Sequence, residues 1–312
     1  MKKGIFKFSI LLLSSMLVFT ACKKKTEVTT DDTATQTQNG SDDSNASSES
    51  DAALNDANAA IAGSMTMNGA RISALPPGVS SVSYDTTTAA AKTIVITYDG
   101  TTVINGRTRT GTLTAHIPST TNWSTAGAVL TLTFGNLKAT RVSDGKSLTL
   151  SGTKTITNVN GGNIKTLGIG SGSLVHKVRT TNMSLTFDDG TTKTWNVART
   201  RTITRSGTLS FSISTTGDTT LGGHSNVAMW GTNRAGNTFY SIISTPVVWN
   251  NTACAPYFVP VSGVRVIQGL DHALTITFGV TSTGVAATNC PYGFKLDWVN
   301  ASGVAKEVIR PY

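Results

Sequence analysis

The chain is poor in the groups on which most enzymatic chemistry rests. Among 312 residues there are three cysteines, four histidines and 17 acidic residues, and Glu307 is the sole Glu after residue 60. His116, His176, His224 and His272 are scattered without HExxH spacing, and no CxxC accompanies the cysteines. The spacings of a zinc site are therefore missing, and neither a metal nor a cofactor is expected. No GxSxG occurs; GIGSGS at 168–173 has its glycines out of register and reads as a turn. DGKS at 144–147 ends like a phosphate-binding loop, but Thr140 stands where that motif needs Gly, and the chain continues in a strand pattern rather than a helical one. Long amphipathic helical patterns are also lacking, which excludes a helical bundle.

What is present begins with a targeting signal. Lys2, Lys3 and Lys7 precede an apolar run of about 14 residues, 8–21. A membrane-spanning helix needs roughly 20, so a cleaved secretory signal over 1–21 is expected. The run closes on Phe19-Thr20-Ala21-Cys22, which resembles the lipobox of bacterial lipoproteins, with Phe19 where Leu is usual. The resemblance implies that Cys22 carries a thioether-linked diacylglycerol and becomes the first mature residue, anchored in the bilayer by several acyl chains. Lys23 differs from the Asp that causes inner-membrane retention in some bacteria, so the outer membrane is favoured, with the body facing periplasm or cell surface. Nucleic acid is excluded as a partner of an exported chain. With Cys22 lipidated, Cys254 and Cys290 remain as a pair, and a disulfide between them is expected in an oxidising compartment. It would close a loop of 36 residues, worth about 3–4 kcal/mol through the unfolded state.

Residues 22–60 are dominated by Ser, Thr, Asp, Asn and Ala and carry a net charge of −5, with hydrophobic residues almost absent before Leu54. Such a segment buries too little apolar surface to offset its ordering entropy, so it is expected to be a disordered tether, with a short Ala-rich helix near 51–61. The remainder, 61–312, carries +11. A basic body on an acidic tether favours anionic partners.

From about residue 65 onward, alternating segments rich in Thr, Val, Ile and aromatics recur, such as KTIVITYD, AVLTLTFGN and ALTITFGV. This period of two marks half-buried strands. Asp99-Gly100, Asn105-Gly106, Asp144-Gly145, Asn160-Gly161 and Asp189-Gly190 supply the tight turns between them. The expected fold is all-β: an elongated antiparallel meander or a sandwich. An echo links ITYDGTT…RTRTGTLTAHI (96–117) with LTFDDGTT…RTRTITRSGTLSFSI (185–213), pointing to two halves, about 65–180 and 181–312.

The echoed arginines are the most suggestive side chains. Arg107 with Arg109, and Arg199 with Arg201, sit two residues apart, which puts each pair on one strand face. Aligned, they form a stripe suited to phosphate or carboxylate, an expected anionic-ligand face. Trp230, beside a Gly-rich turn, is the expected exposed aromatic. The C-terminal stretch Cys254…Pro260-Val261-Ser262-Gly263…Phe278-Gly279…Cys290 is similar to the end of uncharacterised Gram-negative lipoproteins, and that resemblance implies an envelope location and a β fold without an established activity. The expected function is a non-enzymatic structural or binding role, with a glycan, an anionic polymer or an envelope protein as partner. The alternative is a secreted hydrolase of polysaccharide, which requires at least two of Asp99, Asp188, Asp218, Asp271 and His224 to converge in a cleft.

Overall fold

The computed structural model describes residues 32–64, 75–85, 91–118, 122–164, 166–208, 210–254 and 259–312. The signal 1–21 and Cys22 lie outside them. Among the described residues one helix, α1 (Thr33–Ser64), precedes fifteen strands. These are β1 (Val79–Asp85), β2 (Ala91–Tyr98), β3 (Arg107–Pro118), β4 (Ala128–Arg141), β5 (Ser147–Asn158), β6 (Leu174–Phe187), β7 (Thr192–Arg205) and β8 (Phe211–Gly217). There follow β9 (Thr219–Leu221), β10 (His224–Thr232), β11 (Thr238–Asn250), β12 (Pro260–Gln268), β13 (Leu274–Val280), β14 (Gly293–Val299) and β15 (Ala305–Pro311).

The strands form one antiparallel sheet, a meander and not a sandwich. β1 to β7 pair in sequence, then β10 to β15. β8 and β10 share the slot between β7 and β11: β8 pairs the C-terminal half of β7 (199–205) and of β11 (247–250). β10 pairs their N-terminal halves. At the junction Gly217 lies so close to Asn226 that a Cβ there would stand 1.9 Å from the Asn226 carbonyl oxygen, so only glycine fits.

The turn glycines behave as the dipeptides require: Gly100, Gly106, Gly145, Gly161 and Gly190 all have positive φ. Register shifts recur in neighbouring strands, between Thr110 and Thr112, Phe134 and Leu137, Ser151 and Lys154, and Thr180 and Met183. Asn136 and Asn182 adopt left-handed φ there. Bulges that line up across adjacent strands bend a sheet sharply, and this sheet curls so that residues of β2, β3, β5, β7, β12 and β14 all reach α1. Cys254 and Cys290 lie at disulfide distance, with Cα atoms 4.8 Å apart.

The concave face carries the core, with Leu113, Leu130, Leu132, Leu150, Ile156, Trp195 and Ile276 fully buried against Ala53, Leu54, Ala57 and Ile61 of α1. Most Thr residues of the strands, with Lys138 and Lys177, alternate outward. A smaller apolar cluster, Leu167, Leu174, Ile203 and Ile213, closes one end of the sheet.

Two expectations are corrected. The segment 22–60 was expected to be a tether; from Thr33 onward it is α1, continuous to Ser64, and largely enclosed. Its exposed positions include Ser48, Asn55 and Ala59, on one side of the helix. The echo also divides differently in its two copies. RTRTGTLTAHI is a single strand, β3, whereas RTRTITRSGTLSFSI is split into β7, ending at Arg205, and β8, beginning at Phe211, with the Ser206 amide donating to the Ser210 carbonyl between them.

Candidate functional site

The site is the contact between α1 and the concave sheet face. α1 bears five acids, Asp42, Asp43, Glu49, Asp51 and Asp56, and no basic residue. Asp42, Glu49 and Asp56 recur every seven residues and so share one helical face. Along the sheet, the inward positions of β3, β5, β7 and β12 place cations opposite them.

Glu49 receives Arg109 Nε at 2.8 Å and Arg107 Nη1 at 3.4 Å, and Arg107 Nη2 also donates to Asn45 Oδ1 at 2.7 Å. Burial alone would lower the Arg109 guanidinium, but the Glu49 charge outweighs it and the pKa is raised. Asp51 takes Lys154 at 3.0 Å, Arg199 at 3.3 Å and Arg201 at 3.6 Å. Burial would raise the Asp51 carboxyl, yet Arg199, Lys154 and Arg201 together hold it well below the ordinary carboxylate range. Lys154 also donates to the Ser50 carbonyl and hydroxyl oxygens, so its three protons have three acceptors. Burial nonetheless pushes its pKa down to about 8 against the pull of Asp51. Asp43 pairs Arg265, and Asp42 pairs Arg234 at 2.7 Å. Towards the ends of the helix, Tyr98 donates to Asp56 at 2.9 Å and Trp298 Nε1 to Asp32 at 2.9 Å.

The expected anionic-ligand face is thus a set of residues that hold carboxylates, but the carboxylates belong to the chain itself. Arg109, Arg199 and Arg201 are buried, and Arg107 is half-buried. The two pairs do not form one continuous stripe, because β4, β5 and β6 separate β3 from β7; α1 joins them through Glu49 and Asp51. The sequence reading missed Lys154, Lys193 and Arg265, each inward on its strand. The signal that marks them is the opposite charge of 22–60 and the rest of the chain, which pairs the two within the molecule.

Trp230 is half-buried, not exposed: Met229 beside it turns inward and Trp230 outward. The residues of the hydrolase alternative sit on separate elements with separate partners. Asp99 caps its own turn through the Thr101 and Thr102 amides. Asp189, beside Asp188, does the same through the Thr191 amide. Asp218 pairs Arg179 and Lys177, His224 stacks tilted on Tyr240 at 5.7 Å, and Asp271 is exposed in the loop between β12 and β13. Among the described residues no group of three His, Cys, Asp or Glu could hold a metal ion.

The convex face presents registered rows of hydroxyls. Thr114, Thr133 and Thr153 are cross-strand neighbours on β3, β4 and β5. Thr110, Lys138, Thr149, Thr186 and Thr192 form a second row from β3 to β7, and Val129, Thr157, Lys177, Thr200 and Thr216 a third from β4 to β8.

Comparison with protein families, with curated proteins and with solved structures finds no match to this chain.

Proposed function

We propose that the protein is a non-enzymatic lipoprotein of the bacterial outer membrane, anchored through Cys22, whose convex sheet face binds an anionic polysaccharide of the envelope. The observation that supports this most is the filled interior. Glu49 and Asp51 occupy the arginines that suited an anionic ligand, so an outside partner meets the convex side. There, rows of Thr hydroxyls about 5 Å apart across strands carry exposed Lys138 and Lys177. Hydroxyls match the hydrogen bonding of a glycan, and scattered ammonium groups favour one bearing carboxylate or phosphate.

The test is retention of the soluble mature chain, without lipid, on immobilised lipopolysaccharide and on a neutral glucan. Retention on the anionic polymer alone, weakened by salt and reduced by the double variant Lys138→Glu, Lys177→Glu, is expected. Equal retention on both polymers, or none on either, would overturn the proposal.

A further inference from the structure

The interior holds more positive charge than α1 neutralises, and most of the surplus gathers at one carboxylate. Lys154, Arg199 and Arg201 are each 4 % exposed or less, and all three converge on the single carboxylate of Asp51. Asp43, the next acid acting on Arg199, is already bonded to Arg265, and Glu49 is shared by Arg107 and Arg109. Three buried cations therefore face one anion. An uncompensated buried charge costs several kcal/mol even after the protein relaxes around it.

The same place has donors to spare. Arg199 Nε and Nη1 and Arg201 Nε are buried with no hydrogen-bond partner, although a guanidinium brings five N–H donors that folded proteins almost always satisfy. Arg199 and Arg201 are two residues apart on β7 and project to one side. Beside Arg201, in one cross-strand row, stand Asn158 on β5, His176 on β6 and Thr215 on β8. All three are buried, and each has an unpartnered atom: Asn158 Oδ1, His176 Nε2 and Thr215 Oγ1. This polar row runs between the main core and the small cluster of Leu167, Leu174, Ile203 and Ile213.

We propose that the place where α1 meets strands β5 to β8 binds a small monovalent anion of the halide class, held by Arg199 and Arg201 with the Thr215 hydroxyl beside them. A water molecule can accept the spare N–H bonds but leaves the charge surplus untouched; an anion answers both. A single charge and small size suit a position enclosed by one helix and four strands, where Lys154 has no donor left to offer. Each member of the site is an inward residue of a regular strand, so it forms as the sheet closes on α1.

The experiment is a thermal unfolding titration of the full mature chain in halide-free buffer. Sodium chloride or bromide is added at constant ionic strength against sodium gluconate, whose anion is too large to be enclosed. Halide is expected to raise Tm by roughly 3–6 °C over gluconate, as preferential binding to the folded state requires. Crystals containing bromide should show one buried anomalous peak within hydrogen-bond reach of Arg199 and Arg201. The Thr215→Asp variant supplies a carboxylate next to Arg201 and should lose the halide-specific rise. Equal Tm in halide and gluconate, or bromide peaks confined to the surface, overturns the proposal; these two readings on the unaltered chain decide it even where the variant does not fold.

Discussion

His176 and Asp51 give the interior two separate sensitivities to acid. His176 is buried beside Arg201, and its ring centroid lies 5.4 Å from that of Trp123. Burial, reinforced by the Arg201 charge, pushes its pKa down from 6.5 to about 4. The folded state thus resists a proton that the unfolded chain accepts. Above pH 6.5 the ring is neutral in both states and imposes no cost. As pH falls from 6.5 towards 4, the unfolded state binds more protons and stability drops, by about 3 kcal/mol if the whole difference is expressed. Asp51 is shifted downward as well, by its cations rather than by burial, so its stabilisation is full above its unfolded value of 3.8 and is lost only as pH falls below that towards its much lower folded value. Denaturant unfolding from pH 7 to 4.5 should therefore show a decline that the His176→Gln variant flattens. The same slope in both proteins would remove His176 as the cause.

At the scale of the element, α1 is the part that local sequence opposed. Ser, Asn, Thr and Asp compete with the helical backbone for hydrogen bonds, Gly40 interrupts its first half, and its polar and apolar residues are spread round all sides. A helix of this composition has little stability alone. It is stabilised because its small Ser and Ala side chains let the sheet approach, and because its five acids each meet a donor on a strand or strand-connecting turn. A peptide spanning 33–64 should accordingly give the circular dichroism of an unfolded chain, and the protein lacking 22–64 should show no cooperative thermal transition, since buried cations would be left unpaired. A helical peptide, or a cooperative shell without it, would show that α1 is an accessory. The strands are the contrary case. Their period of two, and the Asp-Gly and Asn-Gly turns between them, carry the meander from β2 to β7 with little help from distant residues. The bulges were not legible, because a register shift depends on which residues the neighbouring strand brings opposite, and a single strand does not specify that.

For the whole molecule, charge organises what hydrophobic pattern leaves open. The 61–312 portion carries +11 and α1 carries −5, and the two meet inside one chain, so the attraction acts largely within the fold. Cys254 and Cys290 tie the loop after β11 to the loop before β14, on the far side of the chain from the Cys22 signal in sequence. Intact mass of the membrane-extracted protein should begin at Cys22 with added acyl chains, and reduction should free two thiols and lower stability by about 3–4 kcal/mol. A mass without lipid would refute the anchor, and two thiols free before reduction would refute the bond. The sequence by itself determined the β class and the turns that join neighbouring strands, and led to the expectation that the two body cysteines pair, because alternation, turn chemistry and cysteine number act through near neighbours or simple counting. Only the tertiary structure decided that residues 33–64 form a helix and that Arg107, Arg109, Arg199 and Arg201 face inward upon it. Burying ions is favourable only when distant parts of the chain deliver opposite charges to the same place, and no local stretch of sequence contains that fact.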